Sequence, residues 1–195
     1  MAARAGMGNL IGRVRLLANV GTSEWTLDAT TYWTDDQIED RLDLHRVDYE
    51  EQVSTIPVTV DSATEYHDYH LSYGNLEEAE SGTTRWSVRS TSGTLQGTAT
   101  YTPNYEAGLL VFTADTEGSA MLVRYGAYDV YAAAADIWRA RAANVSLYYD
   151  IKEGEHSLSR SQMFKHCMTQ AELMDSRSGV VGNATVRMMR SDLNC

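Results

Sequence analysis

The chain has 195 residues, of which 43% are hydrophobic and 22% are charged, and its formal net charge is −11. This composition is typical of a globular protein and excludes a disordered one, and the acidic charge argues against binding nucleic acid through its phosphates. No run of about 18 apolar residues occurs, so we expect no transmembrane helix.

The N-terminal residues and the cysteines favour folding in a reducing, intracellular compartment. The first twenty residues are basic and mildly apolar, but Arg13 and Arg15 interrupt them, so we expect no secretory signal. Cys167 and Cys195 are the two cysteines, and their positions suit neither a disulfide framework nor a zinc site.

Residues 9–19 predict a short helix with an apolar side and an arginine side. Residues 24–33 then read as a polar loop that holds Trp25 and Trp33. A second helix is predicted over residues 34–49, because Thr34 and Gln37 have capping-box spacing and two acids follow Thr34. On this helix His45 is expected to be a packed residue rather than a metal ligand.

Residues 53–125 change to a strand pattern. Short runs of alternating, β-branched and aromatic residues lie between turn signals, and Pro57 suits a strand start or an edge. The predicted strands cover residues 56–60, 66–73, 84–90, 95–101, 108–114 and 120–125. They favour a small antiparallel barrel or sandwich.

The longest helical signal covers residues 127–149. It contains four consecutive alanines, it lacks Gly and Pro, and Asp129 stands near its start. Because alanine lets a neighbouring backbone approach closely, we interpret this helix as a central strut, and an ordinary core helix is the alternative. Its apolar stripe, with Arg141 as a polar member, is Val130, Ala133, Ala134, Ile137, Arg141, Val145 and Tyr148.

A last helix is predicted to begin at Ser159, which has capping-box spacing to Gln162. The face of this helix contains Met163, Cys167, Gln170 and Met174, widened by Phe164, Met168 and Ala171. Periodicity fails over residues 175–195, which predicts a flexible tail. Its apolar residues favour docking on a partner, with a frayed terminus as the alternative; they are Val180, Val181, Val186, Met188 and Met189.

The sequence therefore predicts an α+β fold: a bundle of about four helices, an inserted antiparallel β domain of about six strands, and a flexible C-terminal tail. We assign residues 1–52 and 126–174 to the helical domain, residues 53–125 to the β domain and residues 175–195 to the tail.

We find no catalytic motif and expect no enzyme, no cofactor and no metal site. His67 and His70 form the densest group of potential ligands with Asp68, but an odd separation on a strand turns them to opposite faces. The acidic run at residues 77–80 is interpreted as a solvated loop.

Several segments resemble the head–tail connector (adaptor, or head-completion) proteins of tailed bacteriophages. They are residues 10–15 (LIGRVR), 33–38 (WTDDQI), 42–46 (LDLHR), 129–138 (DVYAAAADIW) and 157–162 (SLSRSQ). Residues 101–105 (YTPNY) and 108–112 (GLLVF) also look like β insertions in some of these proteins. The resemblance covers most of residues 9–174, and the large β insertion departs from the smallest, all-helical members.

The resemblance implies a structural virion protein that forms a homo-oligomeric ring, usually a dodecamer, beneath the portal protein. Such a ring joins head to tail and extends the channel through which DNA passes without specific binding. It is found at the virion neck, and in the host cytoplasm during assembly. A tail-completion or stopper protein is the expected partner below it, and the β insertion is expected to meet capsid or tail proteins.

Two groups of residues then receive expected roles. The acids of the second helix, Asp35, Asp36, Glu39, Asp40 and Asp43, become candidates to face the lumen. The apolar tail residues Val180, Val181, Val186, Met188 and Met189 become candidates to bind the portal or a neighbouring copy.

Two other functions stay open at this point. A carbohydrate- or ligand-binding β module would use an aromatic stacking platform, for which the candidates are Tyr66, Tyr69, Tyr73, Trp86, Tyr101 and Tyr105. A small hydrolase would use His67 or His70 with nearby acids.

Overall fold

The computed structural model describes residues 3–21, 25–27, 30–60, 63–79, 85–145, 151–153, 156–158 and 160–179. Within these ranges the fold is α+β with four helices, as the sequence predicted. Seven strands form two antiparallel sheets, where about six strands were predicted. The helices are α1 (Gly8–Ala18), α2 (Asp35–Leu44), α3 (Val130–Val145) and α4 (Arg160–Asp175).

The strands are β1 (Trp25–Leu27), β2 (Thr30–Tyr32), β3 (Arg46–Val53), β4 (Thr55–Val60), β5 (Ala63–His70), β6 (Ser87–Ser90), β7 (Tyr101–Asn104), β8 (Leu109–Phe112), β9 (Met121–Tyr128), β10 (Ile151–Glu153) and β11 (His156–Leu158). One sheet has the order β3-β9-β6 and the other β4-β5-β8-β7. The pairs β1-β2 and β10-β11 form two short hairpins.

Helix α3 lies against α1, α2 and α4, which fits its interpretation as a strut. Ala133, Ala134 and Ala135 are completely buried in one apolar cluster that includes residues of all four helices. Arg141, the polar member of the stripe, reaches the C-terminal end of α1 and donates to the carbonyl oxygens of Ala18 at 2.8 Å and Asn19 at 3.2 Å. It therefore satisfies carbonyls that a helix end leaves unpaired.

The two sheets pack on one another. A second apolar cluster contains residues of both sheets. The first sheet contributes Val53, Val123 and Tyr125, and the second contributes Tyr69 and Leu110. The chain passes from one sheet to the other between β3 and β4, across Ser54. Pro57 lies on the edge strand β4, at a shift in its register with β5, where a missing N–H costs no ladder hydrogen bond.

The prediction of a helix over residues 34–49 was wrong for residues 45–49. α2 ends at Leu44, His45 follows as its C-cap, and Tyr49 lies on β3. All eight residues of β3 pair with β9, from Arg46 opposite Tyr128 to Val53 opposite Met121. The local helical spacing is overridden by pairing with a strand far along the chain.

The same pairing corrects the start of the helix predicted over residues 127–149. Ala127 and Tyr128 belong to β9, and α3 begins only at Val130. At its other end, Tyr148 and the predicted residues beyond α3 lie outside the described part of the chain.

Two further predictions were wrong. The polar loop over residues 24–33 contains the β1-β2 hairpin. The strand predicted over residues 95–101 is mostly turn, because the N–H of Thr100 bonds the carbonyl oxygen of Gly97 at 3.0 Å. Within that range Leu95 makes an isolated bridge with Arg89, and Tyr101 begins β7.

Helix α4 buries a narrower face than its sequence predicted. Cys167, Ala171 and Met174 are buried, whereas Met163 and Phe164 are exposed. Ser159, the predicted cap, lies outside the described residues. Asp175 is the last residue of α4, and the N–H of Ser178 bonds the carbonyl oxygen of Met174 at 2.9 Å, so residues 175–179 continue the helical unit instead of opening the tail.

Candidate functional site

Helix α2 starts with the capping box that its sequence predicted. The N–H of Gln37 donates to Thr34 Oγ1 at 3.4 Å, and the N–H of Thr34 donates to Gln37 Oε1 at 3.0 Å. The preceding residue, Trp33, is buried and has a φ of 63°, a conformation that L residues with bulky side chains rarely adopt. The start of α2 is thus defined by the capping box of Thr34 and Gln37 and by the positive φ of Trp33.

The five acids of α2 do not form one free surface. Asp35 pairs with Arg15 at 2.6 Å, and Asp43 pairs with Arg4 at 2.6 Å. Glu39 is buried and lies 2.7 Å from the Nε atom of Arg4. Asp40 is exposed and Asp36 is half-buried. Three of the five acids are therefore paired with arginines, and Asp40 is an exposed acid of this helix.

Arg4 is the centre of a charged network that no sequence pattern predicts. Its guanidinium donates to both carboxylate oxygens of Asp43, at 2.9 and 2.6 Å, and its backbone N–H donates to Glu39 at 2.8 Å. Burial acts to lower the pKa of Arg4, but the hydrogen bond and the negative charge of Asp43 outweigh it and raise that pKa. Arg4 therefore stays charged and fixes the first residues of the chain to α2.

Glu77 extends this network into the β region. It is 4% exposed, accepts a hydrogen bond of 2.7 Å from the hydroxyl of Tyr128, and accepts one of 3.1 Å from Arg85. Burial and the bond to Glu77 raise the pKa of Tyr128. The prediction that the acidic run at residues 77–80 is a solvated loop was wrong for Glu77. A single sequence could not show it, because the partners of Glu77 lie on distant segments.

Asp129 joins three parts of the structure. Its Oδ1 atom accepts from the backbone N–H groups of Tyr131 at 3.0 Å and Ala132 at 2.9 Å, which caps α3. Its Oδ2 atom accepts from the hydroxyl of Ser178 at 2.9 Å and the N–H of Gly179 at 2.7 Å. Asp129 therefore fixes the place from which the chain continues into the predicted tail. The tail residues Val180, Val181, Val186, Met188 and Met189 themselves lie outside the described residues.

His45 does not lie on a helix face. As the C-cap of α2, it places its Nε2 atom 2.8 Å from Asp136 Oδ2 on α3. This contact ties the end of α2 to α3 and gives His45 a structural partner. In the described part of the chain, no three His, Cys, Asp or Glu residues come together as a metal site would require.

The histidines of β5 have separate surroundings. His67 is half-buried, with Nδ1 at 2.9 Å from the carbonyl oxygen of Phe112 and Nε2 at 3.1 Å from Glu65, whereas His70 is exposed. The bond to Phe112 and the bond to Glu65 raise the pKa of His67, with burial opposing them. Its ring nitrogens are therefore occupied by structural partners.

The six aromatic residues proposed for a stacking platform have different surroundings. Trp86 donates to the hydroxyl of Tyr101 at 3.1 Å, and its ring lies edge-on to that of Tyr105, with centroids 5.0 Å apart. Tyr69 and Tyr101 belong to the sheet core, where Tyr69 is 0% exposed and donates to Thr116 Oγ1 at 2.6 Å. Tyr73 instead stacks on Tyr49, with ring centroids 4.1 Å apart. Burial and the bond to Tyr73 raise the pKa of Tyr49 to about 12.

An open groove runs between α2 and α3. Its lining is mixed, with one acid and one arginine; the lining residues are Trp33, Gln37, Asp40, Arg41, Leu44, Ala140 and Asn144. Carboxylate pairs, nucleophiles with a base and converging histidines do not occur among them. The groove is therefore a mixed polar and apolar surface.

No protein-family model matches this chain, and a search of curated proteins returned no significant match. Among the described residues, no helix has both the length and the apolar content to cross a membrane.

Proposed function

We propose that this protein is a structural component of a bacteriophage neck: a head–tail connector that forms a ring beneath the portal and extends the DNA channel. The observation that carries the proposal is the order of elements. A capped acidic helix, a two-sheet β insertion, an alanine-rich helix and a final helix follow one another, and the helices before and after the insertion share one core.

Charge supports the same role. Each chain contributes a formal charge of −11, so a ring of twelve copies would carry twelve times that charge. An acidic channel wall repels the DNA backbone and lets it slide without adhering. Within α2, the exposed Asp40 is the acid best placed for such a wall, because Asp35, Glu39 and Asp43 pair with arginines.

The tail is proposed to bind the portal or a neighbouring copy through its apolar residues. The structure sharpens the deletion that tests this part. Removing residues 175–195 would also remove the bonds of Ser178 and Gly179 to Asp129, so the deletion should begin at residue 180.

The experiment is co-purification of the full chain and of the chain ending at Gly179 with the portal protein of the same genome. We expect the full chain to bind and the shortened chain to lose binding while keeping its melting temperature. A variant with residues 180–195 replaced by a Gly/Ser sequence of equal length is the matched control, and it should also fail to bind. Full binding by either variant would contradict the tail's role.

A further inference from the structure

Helix α2 has a face that is covered neither by the helical core nor by Arg4. Ile38 and Leu42 are buried in the core, and Glu39 and Asp43 pair with Arg4. The remaining face follows the groove between α2 and α3, which has a volume of about 630 Å³. Its members, which we call the α2 face, lie three or four residues apart along the chain; they are Trp33, Gln37, Asp40, Arg41 and Leu44. Residues at these spacings are neighbours on a helix, so the α2 face is continuous.

Two opposite charges lie side by side on the α2 face without a partner. Asp40 is exposed and Arg41 is half-buried, and neither side chain has an ion pair or a hydrogen bond to a described residue. About one turn further on, Leu44 is 67% exposed. The α2 face therefore offers an acid, a base and apolar area to a partner outside the single chain.

The wall of the groove favours an occupant as well. On the α3 side, Ala140 contributes only a methyl group, which leaves room for a side chain from outside. Trp33 is 6% exposed, and its buried Nε1 atom has no acceptor among the residues that the structure describes. Buried donors without an acceptor are rare in native proteins. The lining of the groove is thus incomplete in one copy of the chain.

The α2 face is complementary to a second copy of itself. In a contact about a two-fold axis, residue i of one copy meets residue j of the other, and j meets i. If two α2 helices pack antiparallel with the axis between Asp40 and Arg41, each Asp40 lies opposite the Arg41 of the other copy. The same register places each Leu44 opposite Gln37, at the groove of the other copy. Both pairs of opposite charges are then satisfied, and both leucines are covered.

Other occupants fit the groove less well. The phosphates of a nucleic acid would gain little from Arg41, because Asp40 stands beside it. A small ligand would stay largely exposed, since the groove is open, whereas ligand pockets bury most of the ligand surface. A different protein would need an acid and a base in matching order, which a second copy supplies by symmetry.

We propose that the α2 face is the contact surface of a two-fold dimer of the free protein. The inference does not rest on the proposed connector role. The dimer covers Asp40 and closes on itself, so it is a form of the free protein and not a unit of the proposed ring. Because α2 has ten residues, about 15 Å in length, the contact is small, and we expect a dissociation constant in the micromolar to millimolar range.

Sedimentation equilibrium of the full chain, without portal protein and at concentrations up to about 1 mM, tests the dimer. Asp40→Arg and Arg41→Asp each place like charges at both charge pairs of the contact, so each should raise the dissociation constant about tenfold or more. Glu172→Arg is the control, because it makes the same change of charge as Asp40→Arg at an exposed position of α4. It should dimerise as the original chain does.

An equal mixture of the two charge variants tests the two-fold arrangement itself. A chain with Asp40→Arg and a chain with Arg41→Asp again present opposite charges to each other at both pairs. We therefore expect the mixture to form a heterodimer with a dissociation constant close to that of the original dimer. Circular dichroism of each variant alone checks that it is folded before it is mixed.

Four results would overturn the proposal: an original chain that stays monomeric throughout the series, a dimer that the charge variants do not weaken, equal weakening by Glu172→Arg, or a mixture that does not restore the dimer. A ring of more than two copies that forms without the portal would also overturn the two-fold contact, although it would support the connector role. The two proposals can therefore fail separately.

Discussion

The Oδ2 atom of Asp129 accepts a hydrogen bond of 2.7 Å from the backbone N–H of Gly179, so the start of α3 holds the end of the α4 unit. The same carboxylate caps α3 through its Oδ1 atom. Asp129 is 8% exposed, and its hydrogen bonds therefore form largely away from water. One side chain thus fixes two helices and the origin of the C-terminal residues.

Replacing Asp129 with alanine removes both the cap of α3 and the hydrogen bonds to Ser178 and Gly179. We expect Asp129→Ala to lower the free energy of unfolding by about 2 to 3 kcal/mol, since a cap and two further, partly buried hydrogen bonds are lost. Asp129→Asn keeps the Oδ1 acceptor of the cap but cannot accept at its Nδ2 position. Its loss of unfolding free energy should therefore be smaller than that of Asp129→Ala. Urea unfolding of the three chains measures the difference, and equal stability of the original and Asp129→Ala would contradict the assignment.

Because of the network around Arg4, we expect Arg4→Ala to lower the stability of the protein more than Arg139→Ala does. Arg4→Ala leaves the buried Glu39 without its neighbouring cation and leaves the buried Glu77 with Arg85 alone, and we expect a loss of stability of about 3 kcal/mol. Arg139→Ala is the control, because Arg139 is 45% exposed and pairs with Asp136 and Asp175 at the surface. It should change stability by about 0.5 kcal/mol or less. Similar losses in both variants would show that the Arg4 network is no stronger than a surface pair.

The strut role of α3 predicts that its buried alanines do not tolerate larger side chains. Ala134 is 0% exposed, and Ala134→Leu should cost about 1 to 3 kcal/mol through overpacking. Ala143 lies on the exposed side of the same helix, so Ala143→Leu should change stability by about 0.5 kcal/mol or less. Thermal unfolding compares the two, and an Ala134→Leu variant as stable as Ala143→Leu would argue against close packing at α3.

His67 predicts a pH dependence of stability. Because its pKa is raised in the folded chain above the ordinary 6.5, its contribution is complete below about pH 6.5 and is lost as the pH rises through the raised value. In His67→Gln this decline should disappear from the stability curve measured between pH 5.5 and 8.5. An NMR titration of the His67 ring should give a midpoint above the ordinary 6.5, and a midpoint at or below that value would contradict the assignment.

The sequence predicted the elements whose signals are local. The capping box of Thr34 and Gln37 and the alanine run of α3 depend on residues close together in the chain, and both are present. β3 was missed because residues 34–49 have helical spacing, while its strand pairing depends on β9, which lies about seventy residues further on. The β1-β2 hairpin had a usable signal in the β-branched and aromatic residues around residues 28–29.

The contacts of the candidate site depended even more on distant partners. Arg4, Glu39, Glu77 and Tyr128 lie on four separate segments, and no spacing rule connects them. The acids of α2 look alike in sequence but have different surroundings. Arginines from other segments pair with Asp35, Glu39 and Asp43, whereas Asp40 is exposed. Composition could indicate an acidic surface, but it could not indicate which acids form it.

The connector role is tested most directly by electron microscopy of the purified protein mixed with the portal protein of the same genome. If the protein is a connector, we expect an added ring coaxial with the portal, with an open channel at its centre and a copy number that can be counted in end views. A portal without added density, beside a protein that remains monomeric at the same concentration, would contradict it.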